Sequence, residues 1–214
     1  MTSRHQLVSI ALAASGTLLL AACDGGRTTP GTPAPDTPAA SSSAAGVPNN
    51  GAPAVQNPLP ANVLDGSPCD SALTTQQLET FLGEPSPGKP STDALGTACD
   101  WHSTTGSGAG FSIGYQTKSD QGISLSFQSV KPKADRWLVL DPIDGYPAIG
   151  YANNVGAPKP DDKLACVVVV GISDQLAYSV SLTLGDKAYR EGKDSCDAGR
   201  SVAAEVLKNL KGRA

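Results

Sequence analysis

An α+β domain, built on a mostly antiparallel sheet of hairpins with helices packed on it, is what this chain of 214 residues predicts. Three observations carry that expectation. Phe111, Ile113 and Tyr115 alternate with small or polar neighbours, as do Ile123, Leu125 and Phe127 beyond a turn-rich break, and a period of two is the mark of half-buried strands. Val167-Val168-Val169-Val170 is apolar on successive positions, as in a strand covered on both faces. Near the end of the chain the aliphatic residues fall three and four apart, which is the spacing of one helical face.

The first 22 residues read as a leader. Leu7 to Ala22 is a 16-residue apolar stretch interrupted by Ser9, Ser15, Gly16 and Thr17. A bilayer span needs about 20 mostly apolar residues, so this one is too short to cross comfortably. Arg4 supplies a small positive start and Ala21-Ala22 a small-residue exit, the pattern of a cleaved signal. Leu20-Ala21-Ala22-Cys23 resembles the bacterial lipobox at every position. That resemblance implies a signal peptide over 1–22, a diacylglyceryl thioether on Cys23 and a further acyl chain, such as palmitate, on its freed amine. Several buried acyl chains hold far longer than one, at about 0.8 kcal/mol for each buried methylene. The expected partner is therefore the membrane itself, and the expected place is the outer face of the cytoplasmic membrane, projecting into the cell wall.

From Asp24 to Ser67 the chain has 8 of its 17 prolines and no aromatic residue. A stretch of that composition buries too little apolar surface to offset its ordering entropy, so 23–67 reads as a lipidated cysteine and a disordered tether. With Cys23 set aside, Cys69, Cys99, Cys166 and Cys196 remain, an even number suited to an oxidising compartment and two bridges. Four cysteines allow three pairings, and sequence alone does not choose among them. Cys69 with Cys99 and Cys166 with Cys196 is favoured because each pair encloses one separable stretch. Without a C-x-x-C, a redox-catalytic role has no support.

Residues 68–214 are long enough for a single domain with a real core. A short helix is expected over 73–83, with Thr74 and Gln77 as a capping box, Leu73 against Leu78 as a staple and Gly83 as the left-handed stop. Two hairpins are expected next. The first joins strands at 111–115 and 123–127; the second runs from Ala165 to Ile172 and from Gln175 to Leu184, turns at Ser173-Asp174 and forms the centre of the sheet. A terminal helix from about Ser195 to Leu210 aligns Ala198, Val202, Ala203, Val206, Leu207 and Leu210 in one stripe. Asp194 and Asp197 suit its positive end, and Lys208 and Lys211 its negative end.

Taken in order, Pro68-Cys69-Asp70, Gly83 closing the short helix, Cys99-x-Trp101, Gly145-Tyr146-Pro147-Ala148, Cys166 opening the valine strand and Cys196-Asp197-Ala198 opening the last helix form a set. That set resembles the actinobacterial lipoproteins grouped as domain of unknown function 3558, over nearly all of 68–210. The resemblance implies a lipid anchor, a proline-rich tether and paired cysteines, and it supplies no catalytic residue. More loosely, Cys-x-Trp with the late cysteine pair is similar to the extracytoplasmic sensor domains of mycobacterial serine/threonine kinases, which implies a sheet with helices packed against it.

Catalytic chemistry finds little to work with. His5 leaves with the leader, so His102 is the one histidine of the mature chain, and a zinc site lacks ligands. Asp100, His102 and Ser103 are neighbours in sequence, yet His102 and Ser103 would point to opposite faces of a strand, so no triad is expected. Gly106-x-Gly108-x-Gly110 precedes a strand rather than a helix, and so reads as a loose hairpin connection instead of a phosphate cradle. Asp141, Asp144, Asp161, Asp162, Asp194 and Asp197 lack the alternating oxygen ligands of a calcium loop. Residues 68–214 carry 14 basic and 17 acidic side chains with no basic run, which does not suit nucleic acid. No cofactor or metal is expected.

What remains is aromatic. Trp137, Tyr146 and Tyr151 lie in a segment whose Pro142 and Pro147 are expected to limit strand pairing, and aromatic loops on a rigid scaffold often bind partners. They form the candidate binding surface of a non-enzymatic, membrane-anchored domain that binds or senses a protein, glycan or lipid. The alternatives are an envelope hydrolase or transferase, and a carrier of an apolar envelope lipid, which a large apolar pocket would favour. The anchor is directly testable. Cys23→Ser is expected to abolish labelling by a fatty-acid probe and leave a longer, uncleaved precursor; equal labelling of the variant would refute the lipobox.

Overall fold

The computed structural model describes residues 46–152 and 163–214. The leader, Cys23, the tether up to residue 45, and Asp161 and Asp162 lie outside the described residues. Among the described residues, no helix is long and apolar enough to cross a membrane.

Seven strands form one antiparallel sheet: β1 (Lys89–Thr92), β2 (Gly96–His102), β3 (Gly110–Gln116), β4 (Arg136–Ile143), β5 (Tyr146–Ala152), β6 (Ala165–Gly171) and β7 (Ala177–Thr183). Their order is β1-β2-β3-β7-β6-β5-β4, so the chain lays down one edge, then the other, and closes the middle with the β6–β7 hairpin. That hairpin turns at Ser173-Asp174, where the Ser173 hydroxyl accepts from the amides of Gln175 and Leu176. Val168, Val169 and Val170 are fully buried, as a central strand requires.

Among the described residues, five α-helices accompany the sheet, α1 (Pro68–Ser71), α2 (Thr75–Leu82), α3 (Ser124–Ser129), α4 (Asp186–Arg190) and α5 (Ser195–Lys211), with a 3-10 turn at Ala61–Leu64 before them. The expected capping box is present, Thr74 accepting from the Gln77 amide while Gln77 Oε1 accepts from the Thr74 amide at 2.8 Å. Gly83 ends α2 with φ at +75°. α5 lies along the middle of one face, burying Val202, Ala203, Val206, Leu207 and Leu210 against β6 and β7. Each of the valine and leucine side chains contributes roughly 1.5–3 kcal/mol by leaving water. The Tyr178 hydroxyl, fully buried on β7, donates to the Ala203 carbonyl at 2.7 Å. Burial, with Tyr115 beside it, pushes the Tyr178 pKa well above its ordinary value.

Both disulfides take the favoured pairing. Cys69–Cys99 ties α1 to β2 and Cys166–Cys196 ties β6 to the first turn of α5, with Cα atoms 5.2 and 5.1 Å apart. Each closes a loop of separation 30 and by the chain-entropy estimate contributes about 3–4 kcal/mol.

Three expectations are corrected. Residues 123–127 are not a strand: Ile123 and Phe127, four apart, both turn inward with α3 and pack with Ile149, Val169 and Ala177 on the face opposite α5. Four residues place them on one helical face, whereas the intervening Leu125 is only half-buried. Residues 136–152 do pair regularly, as the β4–β5 hairpin. Pro142 is accommodated at a register shift between Leu140 and Ile143 on an edge strand, and Asp144-Gly145, both with positive φ, makes the tight turn. The folded body also begins before residue 68. Val55, Val63 and Leu64 are buried, and the Leu59 amide donates to the Ile172 carbonyl at 2.9 Å, so this part of the proline-rich stretch straps the core.

One polar clasp joins edge to centre. Arg136 on β4 forks onto Asp194 at 2.9 and 2.5 Å, while Asp194 Oδ1 also accepts from the Cys196 amide and caps α5. Burial opposes the charge on Asp194, but the Arg136 and Cys196 hydrogen bonds, with Arg136 and Lys163 charges nearby, outweigh it and hold the pKa below the ordinary value. A depressed carboxylate contributes stability above its unfolded pKa and loses it as pH falls through the folded one. Asp194→Asn is therefore expected to cost about 2 kcal/mol near neutral pH. In urea melts that gap should close as pH drops below the ordinary carboxylate range; a gap that stays constant would refute the clasp.

Candidate functional site

The sheet register separates the three aromatics singled out above. Trp137 pairs with Tyr151, and both project to the face of α3. Their rings stack at 6.4 Å between centroids, Phe127 meets Trp137 edge-on at 5.2 Å, and Lys131 Nζ sits 5.2 Å from the Phe127 centroid. Tyr146 lies on the other face, buried, with Lys211 of α5 at 6.0 Å from its ring. Tyr146 and Tyr151 are five apart along β5, and an odd separation puts them on opposite sides. Trp137 and Tyr151 are half-buried in the small core under α3. No single patch contains all three.

The polar candidates are dispersed as well. His102 is exposed at the end of β2. The Ser103 hydroxyl is buried and donates to the Leu82 carbonyl at 2.8 Å, so it is occupied in holding α2 to the sheet. Asp144 pairs with Lys211 at the β4–β5 turn, Asp141 is exposed on the edge strand, and Asp194 is taken up by the clasp. Among the described residues no group of three or more histidine, cysteine, aspartate or glutamate side chains could hold a metal ion.

The feature that sequence reasoning did not identify is a groove of about 550 Å³ at one end of the domain. Its floor is Phe111 of β3 with Leu182 and Leu184 at the end of β7; its walls are Phe81 and Leu82 of α2, Ala188 of α4, and Ala198 and Val202 of α5. Phe81 meets Phe111 edge-on at 6.3 Å, and Trp101 backs Phe111 at 5.9 Å, so the floor is set by a packed aromatic trio. The rim is the glycine-rich β2–β3 loop. There the Ser107 carbonyl accepts from the Asp186 amide at 2.8 Å and fixes the loop to the start of α4. Gly185 eases that join, because a Cβ would be tight there, 3.2 Å from the Ser107 oxygen and 3.3 Å from Ala109 Cβ. Two further hollows adjoin it, sharing Ser201 with the groove: one towards Lys163 and Asp197, the other towards Gln77 and Lys208.

Apolar walls with a few polar groups at the mouth, in a volume of several hundred Å³, are what small-molecule sites share. The lining contains neither histidine nor cysteine. The Ser201 hydroxyl donates back to the Asp197 carbonyl within α5, an ordinary helical bond. α4 escapes a sequence reading because it is only five residues long and carries no apolar stripe.

The chain belongs to the family described as protein of unknown function (DUF3558), which matches residues 18–209. No curated protein and no solved structure gives a match.

The split of the aromatics has a measurable consequence. Tyr146→Ala removes a ring from the main core and is expected to cost about 3 kcal/mol, the scale of an aromatic truncation in a packed interior. Tyr151→Ala, on a half-buried ring, is expected to cost about 1 kcal/mol. Denaturant melts of the two variants would reveal the order, and the reverse order would contradict the register assigned to β5.

Proposed function

We propose that this member of the DUF3558 family is a lipid-anchored, non-catalytic binding domain at the outer face of the cytoplasmic membrane, and that it holds an apolar ligand in the groove between α2, α4 and α5. The observation that carries the reading is the groove itself, an open hollow with an aromatic and aliphatic lining that the fold holds apart rather than fills. Phe81 and Ala188 line it half-buried, over Phe111, Leu182, Leu184 and Val202, which are buried beneath them, and a mostly apolar hollow with a few polar groups at its mouth is the usual form of a small-molecule site. An enzyme would need a nucleophile and a base in reach of the bound ligand, and the lining supplies serine and threonine hydroxyls with no histidine beside them. A flat aromatic platform for a glycan is less favoured, because Trp137 and Tyr151 stand on one face and Tyr146 on the other.

The anchor and the lipobox support a setting in which apolar ligands are abundant and a domain on a tether can reach them. A test uses the full chain and a photoreactive alkyl probe, with crosslinked peptides mapped by mass spectrometry. Saturable labelling is expected on the segments bearing Phe81, Leu184, Ala188 and Val202. Ser201→Trp and Ala188→Trp, which place a large ring over the hollow from half-buried or exposed helix positions, are expected to weaken labelling about tenfold with the melting temperature unchanged. Labelling that does not saturate, or that maps to Trp137 and Tyr151 instead, would overturn the proposal.

A further inference from the structure

Resting on the apolar-groove reading, we infer that the ligand is a single-chain amphiphile with an anionic head, whose charge is met by Lys187 and Lys193 at the mouth of the groove. Both lysines line the hollow, and both face one carboxylate. Glu191 lies 3.9 Å from each ammonium, one on either oxygen, with the lysine side chains 88% and 66% exposed. At that distance neither pair is a hydrogen bond, so the donors of both ammonium groups are unspent by Glu191. One carboxylate against two ammonium groups leaves a positive charge at the mouth.

Among the described residues, the surroundings do not cancel it. Arg190 and Asp186 on α4 offset each other at 4.0 Å. In the adjoining hollow Lys163 stands with Asp194 and Asp197, and the charge of Asp194 is already matched by the Arg136 fork. Lys163 is itself 3.7 Å from Asp194, so Arg136, Lys163, Lys187 and Lys193 stand against Asp194, Asp197 and Glu191, four positive charges to three negative, and the excess is again one positive charge. The positive side chains sit on the solvent side of the apolar floor, so a bound molecule must present hydrocarbon inward and negative charge outward. A groove of about 550 Å³ suits one hydrocarbon tail rather than the bulk of a two-tailed lipid. A carboxylate on a fatty acid and a phosphate on a lysophospholipid share this chemistry.

Competition against the photoreactive alkyl probe on the full chain separates the possibilities. The competitors are palmitate, a palmitoyl lysophosphatidylglycerol, a neutral palmitoyl monoglyceride and a cetyl ammonium salt. Palmitate, the lysophospholipid or both are expected to compete about tenfold more strongly than the monoglyceride, and the ammonium salt least of all. The better of the two anionic competitors identifies the head as carboxylate or phosphate. In the double variant Lys187→Gln with Lys193→Gln, the anionic advantage is expected to vanish while the monoglyceride competes as before, and added salt should reduce the advantage in the native chain. If the monoglyceride competes as well as the anionic probes and the double variant changes nothing, the head-group assignment is wrong though the groove still binds hydrocarbon. If no amphiphile of any charge competes, the groove reading itself fails.

Discussion

Cys196 leaves the first turn of α5 and bonds to Cys166 at the start of β6, and the rest of the domain is arranged around that crossing. The bridge needs room between helix and sheet, and Gly150 of β5 provides it: a Cβ there would lie 3.2 Å from Cys196 Sγ and 3.4 Å from Cys166 Sγ. One turn further along, Gly199 lets the helix close on the sheet, where a Cβ would lie 3.0 Å from Val168 Cγ2. Asp194 then caps the helix and reaches Arg136, so the same turn holds the edge strand β4 as well as the central strand β6. With its start fixed in this way, α5 aims down the middle of the face. Its far end is laced to α2, where Asn209 donates to the Ala72 carbonyl at 2.9 Å and to Gln77 Oε1 at 2.8 Å.

Where sequence and structure agree, the local signals were redundant. The terminal helix has its stripe, its caps and its charge gradient all in accord, and the structure places it within a residue or so of expectation, at Ser195–Lys211. The valine strand and the serine turn after it likewise point one way. Misreading arose where two periods coexist in a short segment. Ile123, Leu125 and Phe127 fit a period of two, but Ile123 and Phe127 alone fit a period of four, and only the core beneath them decides. Pro142 and Pro147 read as obstacles to pairing, yet Asp144-Gly145 between them is a hairpin signal that outweighs both once a bulge absorbs Pro142. The three aromatics part for a related reason: without β5 as a strand, nothing in the sequence says that Tyr146 and Tyr151 face opposite ways.

The two faces of the sheet are unequal, and the inequality explains why the groove is on one of them. On the α5 side the rows read Leu138, Gly150, Val168, Val180, Ile113 and Cys99 from one edge to the other, apolar throughout, and they need a full helical layer to cover them. On the α3 side one row reads Trp137, Tyr151, Val167, Ser181, Ser112 and Asp100, apolar at one end and polar at the other. The short α3 suffices there, because only the apolar end must leave water. The helical layer on the first face is made of α5 with the short α1, α2 and α4, and helices of such different lengths do not tile a seven-stranded sheet without a seam.

That seam would narrow if its walls were free to move, since the half-buried Phe81 and Ala188 would gain by touching. They are held apart by ties around the rim rather than by contacts across the hollow. The buried Ser103 hydroxyl fastens the end of α2 to the β2–β3 loop, the Ser107 carbonyl fastens that loop to the Asp186 amide of α4, and the disulfide fixes α5. Each wall of the hollow is therefore tied to the sheet by a bond that does not cross the hollow. On the proposed reading, a gap maintained by its rim in this way would take an apolar occupant without the cost of opening, because the ordering that a mobile site requires on binding would already have been met in folding.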